Sequence, residues 1–177
     1  MKKTKIFIAC DTTNISKVKN IINQSKTNKI KIGYKFGLEF MNSKNGRTFL
    51  AKLRKKIIFV DLKLNDTVNT MLSAVKALKD IKINYLTVHI SSGLAALKAV
   101  KKISGPTRIV GVTTLTSLNN KDLKEIGYNK KVNELVRHQA KLAVKAKLDA
   151  IVCSGHEIRS VKRVFKKEII TPGIKIH

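Results

Sequence analysis

Short runs of apolar and β-branched residues recur along this chain with helix-periodic stretches between them, and few folds tolerate that alternation. IFIAC (6–10) precedes ISKVKNIINQSK, IKIGYKFG (30–37) precedes TFLAKLRKK, and IIFVDLK (57–63) precedes TVNTMLSAVKALKDI. YLTVHI (85–90) precedes LAALKAVKKI, and TRIVGVTTL (107–115) precedes a long helical region through VNELVRHQAKLAVKAK. AIVCS (150–154) precedes EIRSVKRVF, and EIITPGI (168–174) comes last. Strand-then-helix repetition is the pattern of a parallel sheet covered by helices. No stretch rich in Pro, Gly or Ser interrupts it, so residues 1–177 are expected to form a single domain.

Polar residues collect at the C-terminal ends of these runs: Asp11, Lys35, Asp61, Lys63, His89, Thr113 to Ser117, Ser154 and Thr171. In a (β/α)8 TIM barrel that end carries the functional groups. An open doubly wound sheet is the alternative, weakened by the absence of a G-x-G-x-x-G or Walker-type loop. Seven strands are one short of a closed barrel, which typically takes about 200 residues or more. The expectation is therefore an α/β barrel that lacks its final β-α unit, a fragment of a longer protein.

Thirty-seven basic residues against eleven acidic give a net charge of +26. Only six of the basic residues are arginine, the lysines are spread over the whole length, and aromatic residues for base stacking are scarce. This is the composition of a solvated surface that attracts anionic metabolites rather than of a nucleic-acid footprint. Cys10 and Cys153 sit within apolar runs without metal-ligand spacing, as buried free thiols of a reducing cytoplasm do. The basic N-terminus meets Asp11 after a short apolar run and reads as a first strand, not a signal peptide or a membrane span.

Against this excess of cations, the stretch VDLKLNDTVNT places two of the few acids around one lysine. Residues two apart on a strand share a face, about 6.6 Å apart along it. Asp61 and Lys63 are thus expected to point into the barrel mouth, with Asp66 on the loop beyond and Lys35 on the adjacent strand. Flanking carboxylates keep Lys63 an ammonium, a proton donor and not a Schiff-base nucleophile. A fixed cation can stabilise a carbanion and then protonate it. A substrate carboxylate 4 Å from Asp61 would be repelled by about 4 kcal/mol at an effective dielectric near 20, and the repulsion would vanish as neutral CO2 leaves. The set suits decarboxylation without a cofactor or a metal. The competing reading is an internal salt-bridge network that only supports the barrel mouth.

Through "ACD", "YKFGLEF", "DLKLNDTVNT", "TVHISSG", "GVTTLTS", "VCSGHE" and "TPGIK", in that order, the chain resembles the orotidine 5'-phosphate decarboxylase family. The resemblance implies a homodimer of barrels that converts the nucleoside monophosphate orotidine 5'-phosphate to UMP. By that likeness Asp11 binds the ribose and Lys35 opens the charged row. Asp61 lies against the substrate carboxylate and Lys63 protonates C6. Asp66 and Thr70 reach into the partner's active site, and Thr116 and Ser117 hold the pyrimidine ring. Lys175 contributes charge toward the phosphate. His89 matches a family position but reads as structural.

The chain departs from the family in places. It has "DTVNT" for the usual "DIPNT", and "TPGIK" for "TPGIR", where a lysine cannot offer a bidentate fork. The family's later phosphate-binding motifs would lie past His177. Little or no turnover is therefore expected of residues 1–177 alone, and full activity only with that segment. One rival is the sister branch of sugar-phosphate enzymes, such as 3-keto-gulonate 6-phosphate decarboxylase or hexulose-phosphate synthase, which use Mg2+. The others are an inactive truncated barrel and a basic nucleic-acid-binding protein.

Overall fold

A computed structural model describes residues 5–173, so Lys175 lies outside the described residues. The strands are β1 (Lys5–Ala9), β2 (Lys31–Gly37), β3 (Ile57–Leu64), β4 (Tyr85–His89), β5 (Arg108–Val112), β6 (Ala150–Val152) and β7 (Glu168–Ile170). Between them run α1 (Ile15–Gln24), α2 (Leu38–Asn42), α3 (Gly46–Lys52), α4 (Val68–Ala77), α5 (Gly93–Ile103), α6 (Asn120–Glu125), α7 (Val132–Lys145) and α8 (Ile158–Val164). The seven strands lie in chain order, β1-β2-β3-β4-β5-β6-β7, and the pairs β1–β2, β2–β3, β5–β6 and β6–β7 are parallel. A doubly wound sheet reverses its order at a switch point. Strictly sequential order is that of the (β/α) barrel.

The described chain forms two compact units. One is drawn from the first 62 residues together with Lys76–Leu86. In it α1 is capped by Asn14, whose side chain accepts the Lys17 N–H at 3.0 Å, and it buries Val18 and Ile22. Tyr34 and Phe36 are buried on the same face of β2, and the Tyr34 hydroxyl lies 2.8 Å from Ser25 at the end of α1. The opposite face carries successive rows across the three strands. Phe7, Gly33 and Ile57 lie side by side, then Ala9, Lys35 and Phe59, with Gly37 beside Asp61 beyond them. Phe7 and Phe59 meet edge to face at 4.9 Å, and Phe7 meets Tyr85 in the same way at 5.0 Å. Apolar rows thus lie beneath charged ones.

The other unit comprises Lys63–Val75 and the chain from Thr87 onward. Its helices bury one stripe each, Ala96, Leu97 and Val100 on α5 and Leu135, Val136, Ala140 and Ala143 on α7. Each leucine or valine among them contributes about 1.5–3 kcal/mol on full burial, and each alanine methyl roughly 0.8 kcal/mol. Two sequence expectations change here. The long helical region is two helices, because Gly127 at φ +88° ends α6 in the left-handed conformation. The fifth strand stops at Val112 instead of running to 115, because the Thr114 N–H goes to the side chain of Gln139 at 2.8 Å. No helix among the described residues is long and apolar enough to cross a membrane.

Candidate active site

In the first unit the ends of three strands bring Asp11, Lys35 and Asp61 together. The Cys10 N–H bonds to the Lys35 carbonyl at 2.8 Å, which carries the chain past β1 alongside β2 and sets Asp11 next to Gly37. Lys35 Nζ then lies 3.3 Å from Asp11 Oδ1 and 3.5 Å from Asp61 Oδ2. One ammonium thus bridges two carboxylates, an arrangement that offsets their mutual repulsion. The two acids differ in surroundings: the Asp61 side chain keeps 12% exposure and Asp11 keeps 60%. Asp61 is the sheltered anion, where a charge is least screened, and Asp11 is open to hydrogen-bond donors from solvent or a ligand.

Lys63 follows on β3 in the second unit, and its backbone departs from the regular strand that simple alternation assumes. Its φ is +48°, and among the described non-glycine residues only Lys55 and Lys147, both outside strands and helices, share a positive φ. A left-handed conformation at a side-chain-bearing residue costs about 1–3 kcal/mol and persists where surrounding contacts over-determine it. One such contact is the Lys63 N–H, which donates to Thr87 Oγ1 at 2.8 Å. Thr87 is fully buried. Period-two reasoning therefore holds along β3 only up to Leu62.

Asp66 and Thr70 are exposed at the start of α4. Asp66 Oδ1 accepts the Thr67 N–H at 2.7 Å, and the Thr67 and Thr70 hydroxyls are 3.1 Å apart. This short network braces the loop that follows Lys63. Thr116 and Ser117 are exposed in the turn after β5, which the Leu118 N–H closes onto the Leu115 carbonyl at 3.0 Å. The turn's root is held by buried Gln139 through Thr114. His89 ends β4, and its carbonyl accepts the Ser92 hydroxyl at 2.7 Å. Cys10 and Cys153 are buried free thiols, as expected.

Sequence reasoning missed Thr87 and Gln139, which within the second unit hold the backbone of Lys63 and of the turn after β5. The available signals were a threonine inside the apolar run YLTVHI and a glutamine on the buried stripe of α7. Among the described residues no three or more His, Cys, Asp or Glu side chains gather as a metal ion would require.

Residues 4–177 match the model of the orotidine 5'-phosphate decarboxylase / HUMPS family. An orotidine 5'-phosphate decarboxylase of Sphingopyxis alaskensis is 37% identical over 174 residues, spanning 96% of this chain and 76% of that protein. The enzyme of the same name from the Wolbachia of Brugia malayi is 38% identical over 178 residues, spanning 97% and 77%. Among solved structures, the orotidine 5'-phosphate decarboxylase of Lactobacillus acidophilus superposes with a TM-score of 0.85 at 28% identity, covering 97% of this chain and 81% of that one. The chain thus spans about three quarters of the length of the relatives it matches. Sequential parallel strands, a charged row where the first three end, a family match over residues 4–177 and relatives 37–38% identical over nearly the whole chain lead to one assignment: the chain belongs to the orotidine 5'-phosphate decarboxylase / HUMPS family of lyases.

Proposed function

We propose that this chain decarboxylates orotidine 5'-phosphate to UMP, the closing step of pyrimidine nucleotide synthesis, in the cytoplasm and without a metal or cofactor. The observation that carries the reading is the bridged set Asp11–Lys35–Asp61 at the strand ends, immediately before Lys63 in sequence. The sheltered Asp61 carboxylate faces the carboxylate of the bound substrate and repels it. As the C6–carboxylate bond breaks, its electron pair stays on C6 and CO2 departs uncharged. The Lys63 ammonium steadies that charge and transfers one proton to C6, and the resulting amine regains a proton from solvent. Lys35 holds Asp61 in place, and Asp11 accepts hydrogen bonds from the ribose hydroxyls.

Thr116 and Ser117 border the pyrimidine ring, and Lys175 adds charge near the phosphate. Asp66 and Thr70, exposed at the start of α4, extend into the site of a second copy in a homodimer with two-fold symmetry. We read residues 1–177 as belonging to one barrel domain.

Release of labelled CO2 from carboxyl-labelled orotidine 5'-phosphate tests this reading and detects weak turnover. The wild-type chain should release label above the buffer rate in the presence of a chelator. Lys63→Ala should reduce release by at least about 10³-fold, since it removes both the proton and the stabilising charge. Mixing inactive Lys63→Ala and Asp66→Ala chains should restore part of the signal, because a mixed dimer contains one intact site. Release that requires Mg2+ would instead favour the sugar-phosphate branch, and release insensitive to Lys63→Ala would refute the mechanism.

A further inference from the structure

The strand β2 carries two glycines on its charged face, Gly33 and Gly37, on either side of Lys35, and their surroundings differ. A Cβ placed on Gly33 would lie 2.7 Å from the Phe7 ring and 3.1 Å from Ile57. Phe7 fills the space that a side chain would otherwise take, so Gly33 serves packing. A Cβ on Gly37 would meet only Asp11 Oδ1, at 3.7 Å, an ordinary van der Waals contact. Backbone conformation does not call for glycine there either, since φ is −91° and ψ −169°, extended values open to any residue. Neither packing nor torsion accounts for a glycine here, and its N-cap position before the five-residue α2 suits Ser, Asn or Asp at least as well, so capping does not single it out either.

Its place in the register does. Gly37 pairs with Asp61 on β3, and on its other side lies Asp11, which puts it between two carboxylates that Lys35 bridges from one row below. A side chain at 37 would stand in the gap between the two anions. Without one, the gap has a floor of bare backbone over which a flat or hydroxyl-bearing ligand can approach both acids and the ammonium at once.

We infer that Gly37 is a specificity-determining residue: its missing side chain leaves the recess in which the sugar of a nucleoside monophosphate reaches the Asp11–Lys35–Asp61 set. This rests on the decarboxylase reading above. The recess admits a ribose edge at van der Waals distance from the β2 backbone and excludes bulkier substituents. Gly37 acts on binding and positioning, and takes no part in the bond-breaking step.

The test compares Gly37→Ala, Gly37→Val and Gly33→Ala with the wild-type chain by thermal melting and by labelled CO2 release over a range of substrate concentrations. Gly37→Ala should melt within about 3 °C of the wild type, the cost of a poorer N-cap on α2, and raise KM about 10- to 200-fold, the range for one methylene intruding on a fitted site, with kcat changed less. Gly37→Val should raise KM further. Gly33→Ala should instead lower the melting midpoint by about 2–10 °C through overpacking against Phe7. An unchanged KM in Gly37→Ala overturns the inference and leaves the decarboxylase reading intact. A melting loss in Gly37→Ala comparable to that of Gly33→Ala overturns it too, since the glycine would then serve the fold. A wild-type chain that releases no label and gains no thermal stability from UMP overturns the decarboxylase reading and this inference with it.

Discussion

Cys10 and Cys153 are fully buried, and burial pushes both thiols up, from 9.0 to about 11. Asp11 raises Cys10 further while Lys35 opposes it, and Glu157 adds to the rise at Cys153. A thiol that the fold keeps protonated binds its proton more tightly than the same thiol in the unfolded chain. Its stabilising contribution is therefore full below about pH 9 and disappears as the pH climbs toward about 11. Iodoacetamide at about pH 8 should label neither cysteine in the folded protein and both in denaturant, because the thiolate is the reacting form. Rapid labelling of the native protein would contradict this placement. At this level the sequence was readable where charge met a strand end, as at Asp11, Lys35 and Asp61. It was opaque at Lys63, whose left-handed backbone is supported by a buried threonine on another strand and leaves no trace in VDLKLNDTVNT.

Asp149 shows how one side chain can fix several elements together within the second unit. Its Oδ2 accepts Lys101 Nζ from α5 at 2.6 Å and the Ile109 N–H from β5 at 2.8 Å, while its own N–H donates to the Ile109 carbonyl at 3.0 Å. Asp149→Ala would strand the amide of a fully buried residue and leave Lys101 without this partly sheltered carboxylate. A loss of about 2–4 kcal/mol is expected in urea unfolding. Lys121→Ala, which removes an exposed i,i+4 pair at 3.8 Å on α6, should change stability by no more than about 0.5 kcal/mol. Equal effects of the two would remove the clamp as an explanation. The elements themselves were largely legible, because apolar runs of period two and stripes of period 3.6 are local properties. The break between α6 and α7 was signalled by Gly127 but masked by the helical character on both sides. The short helix α2, directly after Gly37, has too few residues to show a period.

A net charge of +26 makes self-repulsion a property of the whole chain. Raising ionic strength shortens the screening distance from about 30 Å at 0.01 M to about 8 Å at 0.15 M. The melting midpoint should therefore rise over that interval, and the apparent affinity for a dianionic nucleotide should fall. A midpoint that drops with added salt would point to ion pairs, not repulsion, as the dominant electrostatic contribution. Periodicity established that strands and helices alternate, but it could not order the strands. The choice of a barrel over a doubly wound sheet rested on the absence of a G-x-G-x-x-G or Walker-type loop and on the likeness of motifs, and the strand order supports it. That order also bears on how the chain is made. Among the described residues these strand partners lie within forty residues of each other, as Val110 and Ala150 do, so none of these strands must await a distant stretch of polypeptide before it finds a neighbour. During translation, each new strand emerges to meet an edge already in existence, and the timetable of synthesis doubles as a plan of assembly.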